Sequence, residues 1–354
     1  MPAALSADTP ENATYLIEND WIQLENGLAE WQAAPGSASK IKVALFEAIT
    51  YGDLNYDQDE DAVIILTYQG GGSGTFYYVA AAFHKDGKYY GTNGIWFGDR
   101  ISQPSIKIQN GLITIEYWDR GINEPMTAAA SVLHSRYFML EDLRLTEIKL
   151  AENEQIYQGL LTIGNEVRSF LPCGEKELLW LAGKSPAIDT IITAYEKTMA
   201  GFPPYTAVFV ILSGSKTALS AEGFGADYRE ALSVSQLARI WQKGNCKSDF
   251  ILLDSPLPGA NISAPLAIKG RARGTWFFEG DFPVLLLDAQ GNKIAESYLT
   301  AKGEWMTENY VGFEGTIDFK GPFSGQRGTL ILKKDNPTGL AKFDDALEIP
   351  IHFE

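Results

Sequence analysis

Histidine and cysteine are scarce in this chain of 354 residues, which has three histidines and two cysteines, Cys173 and Cys246. Two thiolates are too few for a closed zinc site with four ligands, and no histidine lies near either cysteine in sequence. No motif frames any of the three histidines as a catalytic base. The composition therefore does not indicate a zinc centre or a histidine-based enzyme.

Basic residues are also few, because 29 lysines and arginines stand against 45 aspartates and glutamates, for a formal net charge of −16. Nucleic-acid phosphates require a basic surface, and anionic membrane surfaces attract basic segments. We therefore predict neither nucleic acid nor an anionic membrane surface as a direct partner.

Long apolar runs are absent too: none approaches the roughly 18 residues of a transmembrane helix, so we predict no membrane span. The N-terminal sequence MPAALSADTPENATY lacks the basic start and apolar core of a signal peptide. We interpret residues 1–11 as a flexible leader, consistent with a mature form whose export signal has been removed.

Strand signals dominate residues 12–150. Asn110-Gly111 and Asp86-Gly87 each lie between alternating apolar segments, and both dipeptides favour the tight turn in which two successive residues need positive φ. The run DAVIILTY, residues 61–68, is typical of a buried strand. We predict a β-rich domain with an acidic loop over residues 12–150.

Residues 151–256 combine strand and helix signals. A polar stretch at 151–155 marks a linker, and IYQGLLTIG and TAVFVILSG are predicted strands. The clearest helix is predicted within 185–201, with Ser185 as N-cap and Pro186 at the first helical position. Its apolar residues recur at helical spacing: Ile188, Ile191, Ile192, Tyr195 and Met199. SVSQLARIW, residues 233–241, is predicted as a second short helix, which makes this an α+β domain.

Residues 257–354 contain short strands separated by glycine and proline, with no helical periodicity. PVLLLDA and NKIAESYLTA flank Gln290-Gly291 and predict a hairpin, and GTIDF and GTLILKK supply further strands. This pattern is typical of a β-sandwich. The predicted fold class is therefore mainly β and multidomain.

The same C-terminal region resembles a known family. The pattern begins with Pro256-Leu-Pro-Gly, runs through GTWFFEGDFPVLLLDAQGNKIAESYLTAKGEWMTENYVGFEGTIDF, and closes with KKDNPTGL and IPIHF. It resembles Gmad2, the immunoglobulin-like domain of bacterial spore-germination and cell-envelope proteins. The resemblance implies an immunoglobulin-like sandwich and an exported, periplasmic or envelope-associated protein, with a lipid anchor as one means of attachment.

Two further expectations concern the middle domain. Its FLPCG segment, followed by strand, helix and strand, is similar to the C-terminal barrel of an outer-membrane copper-stress lipoprotein. The cysteines leave two alternatives: buried thiols in a reducing compartment, or a Cys173–Cys246 disulfide in an oxidising one. The envelope context implied by the Gmad2 resemblance favours the disulfide.

The acidic loop DLNYDQDEDA carries oxygen-bearing side chains at every second position: Asp53, Asn55, Asp57, Asp59 and Asp61. Calcium loops place their oxygen ligands in this way, with one position contributing a backbone carbonyl, here that of Asp59. Gln58 stands where such loops have a glycine. The alternatives are a structural calcium site and an acidic turn in which the side chains cap their own backbone.

Aromatic residues of the C-terminal domain provide the other candidate site. Trp276, Phe277, Phe278 and Trp305 form either part of the core or an exposed patch that anchors a partner. Strand alternation would bury Trp276 and Phe278 and expose Phe277, or the reverse.

These observations favour an exported cell-envelope protein that acts as a non-enzymatic binding or adhesion module for a wall component or an envelope protein. One alternative is an envelope hydrolase that uses carboxylates of the N-terminal domain, marked by two converging carboxylates, one with a raised pKa. The other is a purely structural spacer.

Overall fold

The computed structural model describes residues 6–121, 123–125, 127–183, 186–219 and 224–354. The protein is mainly β, with several sheets and one α-helix among these described residues, which confirms the predicted fold class. None of the helices in the described ranges has the length and hydrophobicity to cross a membrane. The chain forms two compact units, residues 1–149 and 150–354.

The described strands of the first unit are β1 (Thr14–Ile17), β2 (Asp20–Gln23), β3 (Leu28–Gln32), β4 (Lys40–Gly52), β5 (Asp61–Gln69), β6 (Phe76–Lys85), β7 (Lys88–Gly91), β8 (Ile95–Asp99), β9 (Ser102–Gln109), β10 (Leu112–Asp119), β11 (Val132–Glu141) and β12 (Arg144–Ile148). The central sheet has the order β3-β4-β5-β6-β7, and β8 also pairs with β6. A four-stranded sheet has the order β12-β11-β10-β9, and β1 and β2 form a separate antiparallel pair.

Both faces of the central sheet are buried, because successive side chains of a strand point to opposite faces. On β5, Ile64 and Leu66 belong to a core that includes Tyr15 of β1. Val63 and Ile65 belong to a second core, shared with the four-stranded sheet. The run DAVIILTY is apolar at nearly every position because it contributes side chains to two cores.

Two tight turns predicted from sequence are confirmed. Asp86 and Gly87 connect β6 to β7, and Asn110 and Gly111 connect β9 to β10, with positive φ at all four residues. The prediction of a flexible leader at residues 1–11 does not fit all of this segment. Its first five residues lie outside the described residues, but Ala7 exchanges two backbone hydrogen bonds with Tyr89, so this part of the segment is anchored.

The second unit begins with a closed barrel. Its elements are β13 (Gln155–Ile163), β14 (Arg168–Pro172), β15 (Leu179–Gly183), α1 (Ala187–Thr198), β16 (Val208–Ala218) and β17 (Glu230–Trp241). The order around the barrel is β13-β14-β15-β17-β16, with β15 and β17 parallel. A five-stranded barrel with a helix between its third and fourth strands has the OB-fold arrangement. Helix α1 lies within the predicted range 185–201, although its predicted cap Ser185 is outside the described residues.

The predicted second helix at residues 233–241 is wrong, because this segment is the C-terminal part of β17. Two register shifts in the pairing of β16 with β17 leave Ser235 and Ala238 without partners in the ladder. Each extra residue breaks the two-residue alternation of a strand. Val234, Leu237 and Ala238 therefore recur at the spacing of a helix face although they lie in a strand.

The sandwich follows the barrel. Its strands are β18 (Ile251–Ser255), β19 (Asn261–Ile262), β20 (Leu266–Arg273), β21 (Asp281–Leu287), β22 (Lys293–Ala301), β23 (Tyr310–Ile317), β24 (Arg327–Lys333) and β25 (Ala346–Phe353). They follow the order β18-β20-β23-β22-β21-β24-β25-β19. Buried residues alternate along β20, β21, β24 and β25 and enclose one core. Because the barrel and the sandwich lie in one compact unit, the domain boundary near residue 256 stays a prediction.

Cys173 and Cys246 form a disulfide bond. Cys173 follows β14, and its backbone N–H donates to the Gln158 carbonyl of β13. Cys246 lies in the segment between β17 and β18, where the buried Asn245 side chain donates to the Ile251 carbonyl at 2.9 Å. The bond therefore fixes the segment that leaves the barrel and enters the sandwich.

Reduction of this disulfide should lower the free energy of unfolding of the second unit by about 4 kcal/mol in the chain-entropy treatment, because the two cysteines are 73 residues apart. Urea denaturation with and without reductant measures the difference. The double variant Cys173→Ala/Cys246→Ala is the control, because reductant should leave its unfolding curve unchanged. Superimposable curves for the wild type under both conditions would contradict a stabilising bond.

Candidate binding groove

The acidic loop connects β4 to β5, and its two end carboxylates are buried. Asp53 is 7% exposed, and its carboxylate accepts backbone N–H groups of Tyr56 and Gln58 at 2.5 and 3.0 Å. Asp61 has no exposed surface and accepts N–H groups of Leu54 and His84 at 2.9 and 2.8 Å. These carboxylates satisfy backbone donors where the chain leaves the ladder.

Side chains in the middle of the loop also accept backbone N–H groups of the same loop. The side-chain carbonyl oxygen of Asn55 accepts the Asp57 N–H, and the Asp57 carboxylate accepts the Asp59 N–H, each at 2.9 Å. Gln58 has a φ of 79°, the conformation for which calcium loops use glycine. Within the described ranges, no three acidic, histidine or cysteine side chains are grouped to hold a metal ion. The geometry is that of the acidic turn, and calcium binding stays a prediction.

Burial raises the pKa of Asp53 to about 6 and that of Asp61 to about 7, although the backbone N–H groups that they accept act in the opposite direction. The expected mark of a hydrolase is two converging carboxylates of which one has a raised pKa, whereas here both pKa values are raised. Catalysis also requires contact with the substrate, and Asp61 has no surface through which to make it. The raised pKa values therefore reflect burial in a structural turn.

The aromatic residues of the sandwich do not form the exposed patch that one alternative predicted. Trp276 is 1% exposed and Phe277 is 4% exposed, and both belong to the core, against which Trp305 also packs. Phe278, which is 40% exposed, is the member of this set at the surface. The alternation argument is wrong because Gly274–Trp276 is a 3₁₀ turn, not part of a strand.

A groove of about 720 Å³ lies in the first unit between β2 and β3. The two strands are joined by a tight turn at Asn26 and Gly27, whose φ angles are 50° and 79°. Glu25 and Leu28 exchange two backbone hydrogen bonds across this turn. Beyond it, β2 pairs with β1, and β3 pairs with β4. The strands thus diverge, and the groove opens between them.

Among the described strands, β3 is the last one of the central sheet and has an open edge toward the groove. The N–H of Leu45 donates to the Gly27 carbonyl at 2.7 Å, and such hydrogen-bonded pairs recur at every second residue of an antiparallel ladder. The odd-numbered residues of β3 therefore bond to β4. The backbone groups of Glu30 and Gln32 point away from β4.

Strand β2 has the corresponding open edge. The N–H of Leu24 donates to the Ala13 carbonyl at 3.1 Å, which sets the alternation of the β1–β2 ladder. The backbone groups of Trp21 and Gln23 therefore point away from β1. Two open strand edges thus border one groove.

Large apolar side chains and carboxylates line the groove together. Leu28 is 41% exposed and Trp31 is 38% exposed. The acidic residues of the lining are Asp20, Glu25 and Glu30, and the described lining residues include no lysine or arginine. Lys40 of β4 forms an ion pair with Glu30 at the edge. Exposed apolar side chains beside carboxylates and an ion pair can bind a partner through both apolar and polar contacts.

The sequence predictions did not include this groove. Asn26-Gly27 is the same hairpin signal as Asn110-Gly111, and it would have identified the β2–β3 connection. The short strands on either side give little periodicity, and only the fold shows that both have open edges.

The fold of the second unit defines its C-terminal part as an immunoglobulin-like β-sandwich. Residues 250–340 match the family model of Gmad2, the immunoglobulin-like domain of bacterial spore germination, which confirms the resemblance. The comparisons with curated proteins and with solved structures gave no match. The similarity of the barrel to a copper-stress lipoprotein is not shown by any of these comparisons.

The free energy of unfolding should fall as the pH rises from 5 to 8. A carboxylate with a raised pKa binds its proton more tightly in the folded state, so its contribution is present at low pH and is lost as the pH rises through about 6 to 7. We expect a decrease on the order of 2 kcal/mol and a smaller one in Asp61→Asn. Urea denaturation at both pH values tests this, with the exposed Asp59→Asn as control. Equal decreases in wild type and Asp61→Asn would contradict it.

If the loop binds calcium, millimolar calcium should raise the melting temperature, and a chelator should reverse the increase. The increase should be larger at pH 8 than at pH 5, because calcium requires ionised carboxylates. Asp57→Ala should abolish most of it. A melting curve that calcium leaves unchanged at both pH values would assign the loop to the acidic turn alone.

Proposed function

We propose that the protein is an exported bacterial envelope protein that binds a partner, without catalysis, through the groove between β2 and β3. The observation that carries this proposal is the pair of open strand edges beside exposed Trp31 and Leu28. Exposed edges are usually blocked or covered because they pair with other chains. An open edge next to exposed apolar side chains is therefore a surface suited to a partner.

The envelope context is supported by two independent features of the second unit. The Gmad2 match is to a domain of bacterial spore germination. The Cys173–Cys246 disulfide is consistent with an oxidising compartment, where such bonds form and persist. Together they support export, and a wall component or another envelope protein is then the class of partner that the groove would meet.

The groove favours a binding module over a spacer. A spacer needs stable domains but no open edge, and an unprotected edge adds a risk of aggregation. In the first unit, the outer edge of β3 is open. The side chains of Leu28, Glu30 and Gln32, on one face of this strand, are exposed as well. Retention of such an edge is easier to explain when a partner occupies it.

The purified protein should sediment with isolated cell envelopes of its source bacterium, and Trp31→Ala should weaken this binding by about tenfold or more, because interface tryptophans contribute disproportionately to affinity. Trp96→Ala is the matched control, since Trp96 is 52% exposed on β8, away from the groove lining. Failure of the wild type to sediment, or equal losses in the two variants, would overturn the proposal.

A further inference from the structure

Two residues of β3 have outward backbone groups that pair with no other described strand. The backbone groups of Leu28, Glu30 and Gln32 point away from β4, and those of Leu28 are already bonded to Glu25 across the turn. The groups of Glu30 and Gln32 remain, at a spacing of two residues, about 7 Å. Another extended chain presents donors and acceptors at this spacing, and strand addition is an established mode of protein binding.

A second copy of β3 satisfies these groups in one register. If two copies run antiparallel around a twofold axis at Trp31, Glu30 of each copy lies opposite Gln32 of the other, and each of these pairs exchanges two backbone hydrogen bonds. An axis at Glu30 would place Gln32 opposite Leu28, whose groups the turn has already used. An axis at Gln32 would place Glu30 opposite Ala34, beyond the end of the strand.

The charges on the polar face of β3 are self-complementary in this register. On this face, Lys42 and Lys40 of β4 lie opposite Glu30 and Gln32, and Lys40 forms an ion pair with Glu30. Across the axis, Glu30 lies opposite the neutral Gln32 of the other copy, so no like charges are directly opposite. The lysines of the two copies lie on the outer strands, about 14 Å apart. A basic foreign segment would meet these lysines, and an acidic one would meet Glu30.

The apolar face and the loop after β3 fit the same arrangement. Trp31 would lie opposite its own equivalent in a pair without backbone hydrogen bonds, where opposed side chains are closest. Aromatic pairs of this kind stabilise a sheet. The loop at residues 33–39 of the second copy would lie beside the β2–β3 turn, and its sequence AAPGSAS brings no charge toward Glu25.

We infer that the open edge of β3 binds a second copy of this chain, so that two central sheets join across Trp31 into one antiparallel sheet. This inference rests on the proposed function, because it names the partner at the groove as another copy of the same envelope protein. The affinity comes from backbone hydrogen bonds at Glu30 and Gln32 and from the tryptophan pair. Such an interface is small, and we expect a dissociation constant on the order of 10–100 µM.

Sedimentation velocity of the purified protein at about 1 to 300 µM measures this dimer. The wild type should change from monomer to dimer over this range. Trp31→Ala and Gln32→Pro should weaken the dimer about tenfold or more, because proline removes the outward N–H and is tolerated on the open side of an edge strand. Gln32→Ala keeps this N–H and should lose far less. Melting temperatures show whether each variant is folded. A wild type that stays monomeric at the highest concentration would overturn the inference.

A charge exchange tests the register. Gln32→Glu lies opposite Lys40 within its own chain, but it would place a second carboxylate opposite Glu30 of the other copy. It should therefore weaken the dimer about tenfold without loss of the fold. The double variant Glu30→Gln/Gln32→Glu again pairs a carboxylate with an amide and should restore the dimer. Equal weakening in the single and double variants would overturn the pairing around Trp31.

Envelopes from a strain that lacks this gene separate the inference from the proposed function. Such envelopes hold no second copy, so the wild-type protein should sediment with envelopes of the parent strain and largely fail to do so with these. If it sediments equally with both, while Trp31→Ala sediments with neither, the binding function stands and the second copy is not the partner. If the protein dimerises in solution but sediments with neither preparation, the dimer stands and the envelope function fails.

Discussion

The first unit depends on the burial of both faces of its central sheet. Strand β5 gives alternate side chains to two cores, so the sheet must be covered on both sides. The four-stranded sheet covers one face, and the shorter β1–β2 pair covers part of the other. An isolated two-stranded pair is marginally stable, and here Tyr15 and Ile17 anchor the pair by their burial in the shared core. The groove begins where this cover ends and β2 diverges from β3.

Divergence at the turn gives both strands an open edge. Glu25 and Leu28 are close enough to pair across Asn26 and Gly27, but β2 then continues along β1 and β3 along β4. Within the described part of the chain, neither strand has a second neighbour beyond this turn, and the groove between them is bordered by backbone groups as well as by side chains. This geometry, more than any single residue, defines the groove.

Sequence patterns predicted those features that depend on local signals. The Asn110-Gly111 turn, helix α1 and the alternating strands of the sandwich are all set by short-range preferences or by one buried face. The prediction of a helix at residues 233–241 failed because two bulges give the apolar residues of β17 the spacing of a helix. The alternation prediction for Trp276 failed because the chain turns at Gly274–Trp276. There the Thr307 backbone packs so closely that a Cβ on Gly274 would lie 2.0 Å from its carbonyl oxygen, a tertiary contact without a local signature.

Backbone groups outside a ladder need hydrogen-bond partners, and this requirement applies to the acidic loop and to the edge of β3. Between β4 and β5, Asp53 and Asp61 supply the acceptors from within the chain, at the cost of burying carboxylates whose pKa values rise to about 6 and 7. The backbone donors of this loop are therefore bonded within the chain. At Glu30 and Gln32, the described strands include no partner for the outward edge of β3. The sequence is acidic at both places, but the loop carboxylates accept backbone N–H groups, whereas the Glu30 carboxylate pairs with the Lys40 side chain.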